Sequence, residues 1–163
     1  MVIVYTSNTG YTEQYAKLLA DALSIPAMTL KEAKKKLDRG SDIIYLGWLM
    51  ASHVKDFPTA NKLFRVKCLC GVGMAPCGTQ LDEIKRAEKL PSDYPLFTLQ
   101  GGFDMKKLAG PYKIAMKMLL RMVEKKKEPS DAEKWMANTI REGGNFVSAD
   151  NLNEVLDFCR NMQ

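Results

Sequence analysis

Apolar residues in this 163-residue chain follow two rhythms. Short unbroken runs, as expected of strands covered on both faces, stand at 2–6, 43–50, 65–73 and 95–99, with a weaker one at 27–30. Between them the spacing turns helical. The stretch 11–24 carries Tyr15, Leu18, Leu19 and Leu23 along one stripe, and further helices are predicted at 31–37, 55–65 and 79–89. Punctuation agrees with these limits: Arg39-Gly40 closes the second helix and Leu90-Pro91 the fourth. Three more helices follow, a Met-rich one at 111–124, another at 131–141 and a closing one at 150–162. Gly110-Pro111 suits the start of the first, since proline is favoured at the first helical position. Ser130 and Glu133 have capping-box spacing for the second, and Gly143-Gly144 ends it.

Five apolar runs alternating with helices predict an α/β domain, a parallel sheet with helices on both faces. The length suits a single domain, residues 1–163. Hydrophobic content of 46% with 26% charged residues is that of a soluble globular chain, and no apolar run is long enough to span a bilayer. The N-terminus enters a strand at once, which leaves no room for a signal peptide and sets the expectation of a cytoplasmic protein.

The strongest chemical signal lies between the first strand and the first helix, in Thr6, Ser7, Asn8, Thr9, Gly10, Tyr11 and Thr12. Backbone N–H groups at a helix start are unpaired and favour an anion. Hydroxyls of Thr6, Ser7, Thr9 and Thr12 add donors, and Gly10 permits close approach. A helix cap needs one such residue, whereas this loop supplies five. Other phosphate loops do not fit. The chain has neither G-x-x-x-x-G-K-[ST] nor G-x-G-x-x-G after the strand. No carboxylate ends the first or third strand, as a phospho-acceptor would need, and no cysteine opens the loop. A lone histidine, His53, argues against a His-based metal site or a Ser-His-Asp triad.

T-S-N-T-G-Y-T after V-I-V-Y resembles the FMN-phosphate loop of flavodoxins. The resemblance implies a flavodoxin-like three-layer sandwich of strand order 2-1-3-4-5, here with extra C-terminal helices, and non-covalent FMN as cofactor. The flavin ring would then lie between two loops. One follows the third strand, where Gly47 allows close approach and Trp48, Leu49, Met50 and Ala51 stand near the ring. The other follows the fourth strand, where Gly73, Met74, Ala75, Gly78 and Thr79 can present backbone groups to the pyrimidine edge. No catalytic side chain and no metal ligand set is expected. Cys77 lies near the ring without a neighbour to activate it, and Cys68 and Cys70 read as core residues on one face of a strand.

Charge is uneven. From Asp104 to Lys127 eight basic residues face two acidic ones, a net +6 in a chain of net +5. Lys113, Lys117 and Arg121 form a basic stripe on a helix with more methionine and leucine than one buried stripe requires. Such a helix suits an anionic membrane surface or an acidic partner, and nucleic acid finds no motif here. The 99–104 segment, L-Q-G-G-F-D, with the P-Y-K-I-A-M-K-M helix behind it, is similar to the branch of flavodoxin-domain proteins that includes the menaquinone-dependent protoporphyrinogen oxidases. That similarity implies an FMN enzyme at the inner face of a membrane, working with a quinone. Three readings stay open: an FMN electron carrier serving a redox partner protein, an FMN-dependent oxidoreductase of that membrane-associated type, and a flavin-free interaction module.

Overall fold

Each strand of the central sheet finds its place through the parity of its buried residues. The computed structural model describes residues 1–108 and 110–162. Val2–Thr6 (β1) pairs in parallel with Ala27–Thr29 (β2) on one side and Asp42–Met50 (β3) on the other. Arg65–Gly73 (with His53–Val54 as β4, this strand is β5) lies beside β3, and Leu96–Gln100 (β6) beside β5, both parallel. The order is β2-β1-β3-β5-β6. Leaving aside the short β4, that is the order 2-1-3-4-5 expected of the five long runs.

The two faces bury different sets. Ile3, Ile44, Leu46, Cys68 and Cys70 meet Tyr15 and Leu19 of Tyr11–Leu23 (α1) together with Val155 and Cys159 near the C-terminus. Val4, Ile43, Tyr45 and Leu69 point the other way. They pack on Leu30 and Ala33 of Leu30–Lys36 (α2), Phe57 and Ala60 of Phe57–Leu63 (α3), and Ile84 of Leu81–Glu88 (α4). Cys68 and Cys70 are thus core residues, as their alternation suggests, and all four cysteines are free. The neighbouring Cys159 and Cys70, together with burial, hold the Cys68 thiol well above the ordinary thiol range.

The stretch after the third strand departs from expectation. β3 runs to Met50, as the apolar run 43–50 suggests, but instead of opening into a loop the chain turns back through Ala51 and Ser52 into β4. Both turn residues are left-handed (φ 48° and 62°), the conformation of a tight hairpin turn. This hairpin explains Gly47. A Cβ there would lie 2.6 Å from Val54 Cγ1 and 2.7 Å from the Lys55 carbonyl, so the missing side chain accommodates the returning strand.

The C-terminal part holds an excursion. The chain leaves the sheet at Gly102–Phe103 (β7) and returns at Gly144–Asn145 (β8), and these two short strands pair antiparallel. Between them lie Gly110–Glu124 (α5) and Asp131–Glu142 (α6). Ser130 and Glu133 make the capping box foreseen for α6, and Gly143 ends it at φ 76°. Phe103, Leu108 and Ile140 form a third core with Met74, Tyr112 and Met116. The chain closes with a 3-10 turn at Ala149–Leu152 and the helix Asn153–Asn161 (α7). Among the described residues no helix is long and apolar enough to cross a membrane.

Gly47→Ala should destabilise the protein by about 1–3 kcal/mol through overpacking against the hairpin. Urea denaturation checks this, and an unchanged midpoint would mean the hairpin yields freely.

Candidate functional site

The first loop sits at the carboxyl end of β1, where the chain passes to β2 on one side and β3 on the other. That reversal leaves a crevice in an open α/β sheet. Gly10 occupies the N-cap position of α1 with φ 94°, and it has no side chain to cap with. Nothing lies within 4 Å of where its Cβ would be. The Gln14 N–H reaches back to the Gly10 carbonyl at 3.0 Å. Ahead of it stand Tyr11, Thr12 and Glu13, whose N–H groups belong to the orphan set of a helix start.

The seven loop residues divide by direction. Thr6 is tied below the loop, its hydroxyl 2.9 Å from the Tyr45 hydroxyl and 3.3 Å from Asp56 Oδ2. Ser7 Oγ accepts from the Gly10 N–H at 3.2 Å and so tightens the turn. Asn8 is exposed and Thr9 half-buried, which leaves both free to meet a ligand. Tyr11 and Thr12 turn inward and are buried. The Tyr11 ring lies 2.6 Å from where a Cβ at Gly102 would stand, its Cβ packs beside Gly101, and Lys107 Nζ sits 5.5 Å from the ring centroid. Beside the loop is a depression of about 270 Å³ lined by Tyr5, Thr6, Ser7, Thr29, Lys31, Lys34 and Asp56 among others, so two cations and one carboxylate flank it.

The two loops proposed to hold a ring are brought to the same end of the sheet. Trp48 is half-buried and stands edge-on to Tyr112 of α5, centroids 5.1 Å apart at 90°. Met50, 41% exposed, is at the hairpin tip beside Ala51. Leu49 points to the other face, where it fills the space over Gly71 and Gly73. In the second loop the Gly73 carbonyl accepts from Gly101 N–H (2.7 Å) and the Met74 carbonyl from Gln100 Nε2 (3.2 Å). Gly78 is left-handed (φ 73°), and exposed Thr79 donates to the Pro76 carbonyl at 2.6 Å. Cys77 is exposed and its Sγ accepts from the Gln100 N–H. Ala75 is half-buried, and the Met74 side chain joins the third core under α5 and α6.

Sequence reasoning did not reach Asp56, Tyr45 or Gln100, and it assigned Tyr112 no contact with Trp48. Tyr45 shares a face with Thr6 because Val4 pairs with Tyr45 and Thr6 with Gly47. That register is a diagonal cross-strand relation, legible only once the two strands are known to be neighbours. Asp56 is brought in by the hairpin. His53, the lone histidine, lies away from the cradle, with Nδ1 3.3 Å from Glu88. Among the described residues no group of three metal-ligating side chains gathers.

Compared with family models, curated proteins and solved structures, the chain matches none. What the site can do therefore rests on its own geometry: a helix start with a glycine N-cap, two adjacent loops with aromatic and thioether side chains, and a helical excursion that meets them through Tyr112.

Burial pushes the Tyr45 phenol, which also donates to the Lys55 carbonyl at 2.8 Å, far above its ordinary range. It pushes Tyr94 up to about 12 from 10.0. In both, the fold favours the protonated form. Their contribution is therefore complete below pH about 10 and lost as pH rises toward about 12, because the unfolded chain ionises first. Denaturation at stepped pH should show this decline, shallower in Tyr94→Phe; constant stability across the window would contradict it.

Proposed function

We propose that the protein binds FMN and works in electron transfer, with a flavodoxin-like fold. Its phosphate would lie on the loop 6–12 and its ring between the Trp48–Ala51 hairpin and the 73–79 loop. The observation that carries the reading is the open start of α1. An N-cap residue in left-handed conformation, with no side chain and open space where its Cβ would be, leaves the N–H groups of the helix start without a side-chain cap at the switch point of a parallel sheet. A phosphate dianion fits such a cradle, and Lys31 and Lys34 add positive potential nearby.

Bound FMN would supply reversible uptake and release of electrons; the chain's own residues bind, orient and enclose it. Thr9 and Asn8 would donate to the phosphate together with the backbone. In the second loop the carbonyls of Gly73, Met74, Pro76 and Thr79 and the Gly78 N–H are engaged within the protein, which leaves the backbone of Ala75 and Cys77 to meet a pyrimidine edge. Donors at that edge favour negative charge on a reduced ring. Met50 and Trp48 give the ring apolar and polarizable neighbours.

The excursion supports an oxidoreductase over a simple carrier. A carrier exposes its ring edge to a partner protein, whereas here Tyr112 meets Trp48 and Met74 joins the core beneath α5 and α6. A covered site suits a small substrate, as in the menaquinone-dependent protoporphyrinogen oxidases.

The test is to purify the protein without added flavin, record its visible spectrum and titrate it with FMN. Tight stoichiometric binding is expected, and Thr9→Ala should weaken it by about 1.5–3 kcal/mol, roughly 10- to 150-fold. A colourless protein that ignores FMN would end the redox reading. Full affinity in Thr9→Ala would remove that hydroxyl from the cradle.

A further inference from the structure

α5 is apolar on two sides. Tyr112, Met116, Leu119 and Leu120 face the third core, and Val123 is buried. That stripe suffices for a helix laid on a protein surface. Ile114, Met118 and Met122 form a second line on the outside, exposed by 62%, 58% and 66%. At ~100° per residue Met118 lies roughly 140° round the helix from Val123, so no movement of the inner face accounts for it. Lys117 and Arg121 each stand one position from this outer line, and both are exposed. Lys125 continues their ridge by one turn, its N–H still bonded to the Arg121 carbonyl. The acid of this helix, Glu124, is paired with Arg141 at 2.6 Å and does not offset these cations.

We propose that the outer face of α5 is a docking surface for an anionic lipid bilayer, the helix lying in the interface plane. The apolar ridge enters the acyl boundary while Lys117, Arg121 and Lys125 engage lipid phosphates. Charge complementarity selects this occupant. A second copy of the chain would bring two cationic ridges together across the contact. Three long flexible side chains on a single helical ridge, about 12 Å from first to last, suit a fluid boundary. The inner face of the same helix carries Tyr112 against Trp48, so docking places α5 between the bilayer and the candidate site. Docking itself requires no bound flavin and stands or falls separately from the cofactor assignment.

Co-sedimentation of the whole protein with vesicles of phosphatidylglycerol and phosphatidylcholine, against phosphatidylcholine alone, tests the proposal. The protein should pellet with the anionic vesicles at low salt and be released as salt is raised. Replacing Lys117, Arg121 and Lys125 with Gln should weaken partitioning about a hundredfold, at about fivefold per cation. Ile114→Ser, Met118→Ser and Met122→Ser together should weaken it by a similar factor or more while leaving FMN titration unchanged. All six positions are exposed, and circular dichroism verifies that both variants remain folded. Three results would overturn the proposal. Native protein could stay in the supernatant with anionic vesicles at low salt. The serine variant could bind as well as native, with soluble polyglutamate bound equally strongly, which points to an acidic macromolecule. Sedimentation velocity could reveal a dimer that the serine variant abolishes, which assigns the face to a second copy.

Discussion

Tyr11 stands where three parts of the molecule meet, and its ring needs space that only glycine leaves. It is the first residue of α1, directly after the phosphate-type loop, and it lies against Gly101 and Gly102 at the exit of β6. Gly102 in turn pairs with Asn145, where the helical excursion returns. A single buried ring thus ties the cradle to the strand end and to the base of α5 and α6. Tyr15, one helical turn on, adds polar ties: its hydroxyl donates to the Gln100 carbonyl at 2.5 Å and lies 2.6 Å from Asn151 Nδ2. Without this packing the loop would be an ordinary helix start on a sheet, with nothing to hold the rest of a ligand near it.

The excursion gives the molecule its second character. It has a small core of its own, closed at the foot by the two-residue ladder of β7 and β8, and it reaches over the ends of β3 and β5 through Tyr112 and Met74. Its outer surface carries the cations that account for the chain's basic balance. Cradle and charge therefore sit on opposite sides of one helical layer. The proposed ligand site and the proposed docking surface thus share one helix.

Much of the architecture was legible along the chain, because the five strands are covered on both faces and so read as unbroken apolar runs. The capping box at Ser130 and the glycine stop at Gly143 were legible for a local reason: the backbone groups at a helix end are satisfied by residues within a few positions. The hairpin after β3 was not. Ala51 and Ser52 are poor turn residues, and their left-handed conformation is imposed by Val54 and Lys55 folding over Gly47. The role of Gly47 was misread for the same cause, since glycine signals a close approach without saying what approaches.

At the candidate site, the sequence by itself determined the hydroxyl-rich loop, the open glycine and the excess of apolar residues on a basic helix. These are properties of neighbours in the chain, fixed by backbone stereochemistry and by the 3.6-residue turn. Tertiary structure alone decided direction: that Thr6 binds Tyr45 and Asp56 below the loop, that Tyr11 and Thr12 turn inward, that Leu49 fills the space over two glycines, and that Trp48 meets Tyr112. Each of these depends on strand register or on residues distant in the chain, 39 positions apart for Thr6 and Tyr45 and 50 for Thr6 and Asp56. No local pattern encodes which distant side chain will fill a given space, because packing is settled by the shape of what arrives there.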